Sequence, residues 1–281
     1  MNRFPVNSAK RGTHSFTLVE ILVAIAVFAI LMVVMAQLLG EVSRSLLTQQ
    51  QRMTALGETR FSLDRLTLDW SARVRRPDVN GSFTNQPGND QISFVTQVPA
   101  YSGTRAGLAL VSYRIGTNTV TNLLELERGI AGFDQNSGGT NLILSFPYTP
   151  PTPPIANAGD YEQISAAVFR MEFCFLTNGA SGSSLTTTSS VNLPSTNLVG
   201  LVVAMAALDE NSRKILTPAQ MTTLVNALAD VTNGVDPQSM WLQQINNGTF
   251  LNAVTNAGSA SVPVAVAGAV RVYQRVLLNS E

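Results

Sequence analysis

A chain of 281 residues can hold one large domain or two small ones, with a sizeable core in either case. Hydrophobic residues make up 45% and charged residues only 13%, about half the usual charged share, and uncharged polar residues fill the gap, as suits an exported domain. The 18 basic and 18 acidic side chains cancel, which leaves no electrostatic footprint for nucleic acid, so no nucleic-acid partner is expected.

The first element is an apolar run. Residues Phe16 to Leu39 read FTLVEILVAIAVFAILMVVMAQLL, in which only Thr17, Glu20 and Gln37 are polar, and the run is long enough to cross a bilayer as a helix. Arg3, Lys10 and Arg11 precede it with no acidic residue before Glu20, so the N-terminal segment is expected to stay cytoplasmic while the rest is translocated. An ordinary secretory signal has a shorter apolar core ending in a small-residue cleavage site, whereas this run continues into helix-forming sequence. Glu20 needs a reason to be there, because a carboxylate entering hydrocarbon costs about 2.5 to 3.5 kcal/mol on insertion scales and is usually functional or paired. The plainer alternative is that it sits shallow enough to reach the headgroups.

The segment Ser15-Phe16-Thr17-Leu18-Val19-Glu20, followed by the apolar helix, resembles the prepilin cleavage and methylation motif of type IV pilins and type II secretion pseudopilins. The resemblance implies that a prepilin peptidase cuts between Ser15 and Phe16 and methylates the new amine of Phe16. It also implies that Glu20, fifth in the processed chain, supports assembly with other subunits. A buried carboxylate is tolerable when the positive α-amine of a neighbouring subunit comes to it, and such a pair would set the stagger between subunits. The family prefers Gly before the cut and this chain has Ser15, a small residue expected to slow cleavage rather than block it. His14, the only histidine, would leave with the leader. The processed chain would then lack the means for Ser/His/Asp or Cys/His catalysis and for His-ligated zinc. There is also no EF-hand spacing, no GxxxxGK[ST] and no GxSxG, so no cofactor, metal or catalytic residue is expected.

Beyond the apolar run the helical pattern persists. Leu39, Val42, Leu46, Met53, Leu56, Leu63, Trp70 and Val74 form a heptad-like seam, broken at Gln49, Arg60 and Thr67 and widened by Phe61, Leu66 and Leu68. No proline occurs from Phe16 to Arg76, so a single helix of about 60 residues, roughly 90 Å, is feasible, with Pro77 ending it. Its stripe is expected to lie against a sheet of the same chain, the alternative being a dimeric coiled coil. Arg73, Arg75 and Arg76 read as a solvated basic turn favoured by the helix dipole.

Strand-like runs follow at Gln91 to Gln97, Leu108 to Ile115, Leu123 to Glu127, Leu142 to Phe146, Ala166 to Leu176, Leu198 to Leu208 and Ala265 to Leu278. Several alternate apolar and polar residues, as a half-covered antiparallel sheet does. Arg114, Glu125, Glu127 and Arg170 read as solvent-face charges, the alternative for the acidic ones being a catalytic carboxylate pair. Cys174 is the only cysteine, so no intramolecular disulfide is possible, and Phe173 and Phe175 beside it suggest a buried thiol that only packs. Pro147 to Asp160 and Asn178 to Asn197 read as loops. Thr217-Pro218-Ala219-Gln220 offers a capping box ahead of one helix, and Asp236-Pro237 opens another.

Further along, Leu63-Asp64-Arg65-Leu66 with Asp69, then Tyr113-Arg114 and Leu126-Glu127-Arg128, are similar to the helix end and early strands of the larger J-type minor pseudopilins. Val270-Arg271-Val272-Tyr273-Gln274-Arg275 resembles a J-like group called Verru_Chthon cassette protein C. The expected fold is α+β and pilin-like: a long N-terminal helix packed on an antiparallel sheet. The expected segments are a leader at 1–15, a transmembrane helix at 16–39, its periplasmic continuation at 40–76 and a β-rich domain at 77–281 with a helical insertion at about 217–254. The expected role is a minor pseudopilin or pilin-like subunit of a type II secretion or related filament, with no catalysis of its own. Its partners would be the prepilin peptidase, other pilin-like subunits, membrane lipid and secreted cargo. The rival reading is a membrane-tethered periplasmic enzyme or ligand-binding protein that uses the same kind of leader.

Overall fold

The computed structural model describes residues 17–76, 78–84, 88–97, 107–133, 147–150, 155, 158–179, 182–186 and 198–279. The expected strand at Leu142 to Phe146, the proline Pro77 and most of the proline-rich segment after Pro150 lie outside them. The chain separates at Gln50 into two compact units. The first is helical throughout from Leu18, and every described side chain in it is exposed. These residues are the apolar part of helix α1, which runs from Leu18 to Ser71, 54 residues, and carries an 18-residue window of mean hydropathy 3.0. A helix so apolar and so uncovered has lipid or neighbouring helices as its natural solvent.

The second unit begins with the remainder of α1. After Ser71 the chain leaves the helix and joins a sheet, with Val74 N–H donating to the Val95 carbonyl (2.8 Å), Gln97 N–H to the Ala72 carbonyl (2.9 Å) and Arg73 bridging Thr96. The helix therefore ends several residues before Pro77, because strand pairing captures the backbone groups that another turn would have used. Strands β1 (Ser82–Thr84), β2 (Gln91–Thr96), β3 (Ala109–Thr117), β4 (Leu124–Gly132) and β5 (Tyr161–Ser165) form a five-stranded antiparallel sheet in sequence order. Strands β6 (Val168–Gly179), β7 (Gly182–Thr186) and β8 (Leu198–Ala207) follow. Helices α2 (Glu210–Lys214), α3 (Pro218–Ala227), α4 (Pro237–Asn246), α5 (Thr249–Thr255) and α6 (Val264–Ala267) come next, and β9 (Arg271–Leu278) closes the chain. The second sheet is four-stranded and antiparallel, ordered β7-β6-β8-β9.

The architecture is the expected α+β one, a long N-terminal helix followed by antiparallel strands, consistent with a pilin-like fold. The strands are divided between two sheets rather than one. Leu63, Leu66 and Trp70 of α1 share a core with Ile92, Phe94, Val111, Met171, Phe173, Phe175, Leu201 and Val203, so α1 and one face of each sheet enclose the same apolar volume. The other face of the four-stranded sheet is covered by the helices: Ala204, Ala206 and Leu208 pack with Met221, Leu224, Trp241, Phe250 and Val254. Covered on both faces, β8 is an uninterrupted apolar run without alternation. The Ser/Thr/Gly-rich stretch after Asn178 contains the end of β6 and all of β7, a hairpin where a loop is expected; small polar residues serve at a sheet edge, where half of each residue meets water.

The seam of α1 differs from the heptad reading. Thr59, Ser62, Asp69 and Arg73 are buried, whereas Met53, Phe61 and Leu68 are exposed. Thr59 Oγ1 donates to the Ala55 carbonyl and Ser62 Oγ to the Glu58 carbonyl, both at 2.8 Å. Small hydroxyl residues satisfied within the helix in this way allow its backbone to approach the sheet closely. The helical insertion follows its sequence signals: Thr217 caps α3 in a reciprocal capping box with Gln220, and the Asp236 carboxylate caps α4 ahead of Pro237.

Candidate functional site: the first turn of the N-terminal helix

The expected cleavage pair, Ser15 and Phe16, lies outside the described residues; Glu20 stands in the first turn of α1. Its carboxylate Oε2 accepts from Thr17 N–H at 3.3 Å and from Thr17 Oγ1 at 3.4 Å, while Thr17 Oγ1 accepts from Glu20 N–H at 3.2 Å. This is a reciprocal capping box, and it satisfies two of the amide donors that a helix start leaves open. A negative charge there also complements the positive end of the helix dipole. Around it, Ile21, Ala24, Ile25 and Phe28 line a shallow apolar depression with Glu20 on its rim. The spacing Thr17-x-x-Glu20 was a readable capping signal; sequence reasoning singled out Glu20 and passed over Thr17.

A second cluster anchors the other end of α1 within the C-terminal unit. Asp69 Oδ2 accepts from Arg128 Nε at 2.6 Å and from Tyr113 Oη at 2.6 Å, and Asp69 Oδ1 accepts from Arg128 Nη2 at 3.1 Å. Tyr113 and Arg128 are directly opposite each other on β3 and β4, so the sheet presents a ready donor pair to the helix. Burial, followed by the Asp69 charge, pushes the Tyr113 hydroxyl far above its usual range, so it remains a donor. Burial opposes the charge on Arg128, but the Asp69 hydrogen bonds and charge outweigh it and the guanidinium holds its proton more tightly than usual. The structure brings these three residues together as a buried fastening.

Several charges expected on solvent faces are instead inside. Arg170 is fully buried against Glu172, and Glu125 is buried beside Asn118, whose Nδ2 donates to Glu125 Oε2 at 2.9 Å. In both places a second layer, the helical insertion over β6 or the β3–β4 turn over Glu125, covers a face that strand periodicity alone leaves open. Arg114 and Glu127 do pair across the strands at 2.7 Å, and Arg114 also stacks 3.6 Å over Tyr161. Arg73 is not part of a solvated basic turn: it lies 3.9 Å over the Trp70 ring and donates to Asn279 Oδ1 at 2.7 Å. Burial and then neighbouring Arg75 lower its pKa to about 10, so it is charged at neutral pH. Glu58 lines a cleft of about 330 Å³, and its Oε2 accepts from Ser165 Oγ (3.0 Å) and Ala167 N–H (3.2 Å). Among the described residues no three His, Cys, Asp or Glu side chains are grouped to hold a metal.

The family model for the prokaryotic N-terminal methylation motif matches residues 10–36, a span that includes Glu20 and its capping partner. The chain carries a prepilin-type N-terminal motif. No curated protein and no solved structure matches it at a significant level. The motif implies processing by a prepilin peptidase and assembly with pilin subunits, and among the described residues α1 is the one helix long and apolar enough to cross a membrane.

Proposed function

We propose that the chain is a minor pseudopilin or pilin-like structural subunit of a type II secretion filament or a related type IV pilus-like filament. It enters the inner membrane with its N-terminus cytoplasmic, and the prepilin peptidase cuts it between Ser15 and Phe16 and methylates Phe16. The processed chain then joins a periplasmic filament through its N-terminal helix, and secreted cargo is a further partner. The observation that carries the reading is the methylation motif at residues 10–36, with Glu20 as the one charged residue between Leu18 and Gly40. A lone carboxylate in hydrocarbon is stabilised by a cation brought to it, and the α-amine of a neighbouring subunit is the cation this chemistry supplies. The domain catalyses no reaction in this reading. The engagement of both Asp69 oxygens by Arg128 and Tyr113 in the buried core supports that view for Asp69, since a general base needs a free lone pair facing a substrate.

Co-expression with a prepilin peptidase, followed by mass spectrometry, tests it. The expected product lacks the first 15 residues and begins with methylated Phe16. An intact N-terminus, or a cut after the apolar run, overturns the reading; Ser15 in place of the usual Gly makes the outcome informative.

A further inference from the structure

The cleft of about 330 Å³ beside Glu58 is built by three segments of the C-terminal unit. Helix α1 contributes Thr54, Ala55 and Glu58, the link between β5 and β6 contributes Ala166 and Ala167, and α2 contributes Arg213. Arg213 is only 6% exposed, yet among the described residues its guanidinium makes a single hydrogen bond, Nη1 to the Leu124 carbonyl at 2.7 Å, and no ion pair. Its Nε and Nη2 have no partner among the described residues, and they keep access to solvent. That edge of a guanidinium is the one that takes a carboxylate with two parallel donors, as Arg128 takes Asp69. Burial lowers the Arg213 pKa against the opposing charges of Glu125 and Glu58, so a cation so placed gains from an anion brought to it.

Glu58 is oriented in a similar way. Its Oε2 is fixed by Ser165 Oγ and Ala167 N–H, while Oε1 has no partner among the described residues. Glu210, another carboxylate of the lining, is exposed and paired with Lys214 Nζ at 2.6 Å. Two opposite charges thus line one cleft, each held by its own partners and not joined to the other. A simple anion would leave Glu58 without a counter-charge, and a simple amine would leave Arg213 without one. A molecule that carries both charges satisfies both residues at once.

We propose that this cleft binds a small aliphatic α-amino acid, whose carboxylate is taken by the Nε–Nη2 edge of Arg213 and whose ammonium group is taken by Glu58 Oε1. A volume of about 330 Å³ lies at the lower end of the range for small-molecule pockets, which suits an amino acid better than an oligopeptide. Ala55, Ala166 and Ala167 offer a short apolar side chain a surface without polar groups to desolvate. Because Arg213 and Glu58 are already oriented by Leu124, Ser165 and Ala167, little ordering is left for the ligand to bring about. This inference concerns the C-terminal unit and does not rest on the filament reading.

Saturation-transfer NMR on the detergent-solubilised full chain tests it, with L-alanine as the probe and acetate and methylamine as single-charge controls. L-alanine is expected to give saturable transfer. Each control is expected to bind at least about tenfold more weakly, because it forgoes one charge-assisted contact. Glu58→Gln keeps an oxygen to accept from Ser165 Oγ and Ala167 N–H but removes the negative charge, so it is expected to weaken L-alanine binding at least about tenfold while circular dichroism shows the fold retained. Arg213→Gln is expected to do the same; if that chain fails to fold, Glu58→Gln and the single-charge controls decide the matter. No saturable transfer from L-alanine, acetate or methylamine binding as well as L-alanine, or a Glu58→Gln chain that binds L-alanine like the wild type would each overturn the assignment.

Discussion

Arg128 Nε donates to Asp69 Oδ2 at 2.6 Å, both side chains almost wholly removed from solvent, and this pair joins the last turn of α1 to the middle of β4. Tyr113 Oη also donates to the carboxylate and Arg65 Nε lies 3.8 Å from Asp69 Oδ1, so the pair is hydrogen-bonded as well as charged. Removing Arg128 takes away the two strongest compensating bonds of a buried carboxylate. Arg128→Ala is expected to cost about 3–5 kcal/mol, and the double replacement Asp69→Leu with Arg128→Met to recover much of that loss. Urea unfolding of the full chain in detergent measures both. A single variant as stable as the wild type would mean that the pair contributes nothing to seating the helix.

Glu20 occupies a different setting, an exposed carboxylate held by its own subunit's Thr17 at the rim of an apolar depression. Glu20→Leu removes the membrane penalty together with the charge that attracts a neighbour's amine. Insertion and clipping are expected to survive while crosslinking to other pilin-like subunits drops to background. Membrane fractionation and crosslinking, run side by side, separate the two effects; normal assembly of the variant would remove Glu20 from the mechanism.

Cys174 is fully buried between strands, in contact with Val202 and Val231. Burial pushes its thiol from 9 up to about 12, with the Glu172 and Asp90 charges adding to the shift, so the reactive thiolate stays scarce up to strongly alkaline pH. A thiol reagent at pH 9 is expected to label the native protein at least about a hundredfold more slowly than the urea-unfolded chain, and the melting temperature to be unaffected by reductant. Fast stoichiometric labelling of the native chain would contradict this picture.

Much of the fold was legible because the signals involved are local. The strands β2, β3, β4, β6 and β8 announce themselves by apolar runs bounded by turn residues. The start of α3 could be read from Thr217-Pro218-Ala219-Gln220 because a capping box is closed by four consecutive residues. The end of α1 was misjudged for the complementary reason: the backbone groups of Ala72 and Val74 are claimed by Gln97 and Val95, more than twenty residues away, and no proline marks that event.

The N-terminal motif is the clearest case of what sequence alone determined. An apolar stretch long enough to span a bilayer, a single carboxylate near its start and a Thr three residues before that carboxylate are properties of a linear string, and so is the inference that a membrane receives them. Which charges are buried was decided only by the tertiary structure. Arg170 and Glu125 stand at alternating strand positions that read as solvent-facing. They are inside because the helical insertion and the β3–β4 turn fold back over those faces. Strand periodicity separates the two faces of a sheet, but burial depends on what else the chain lays over each face, and that is settled by contacts between residues far apart in sequence.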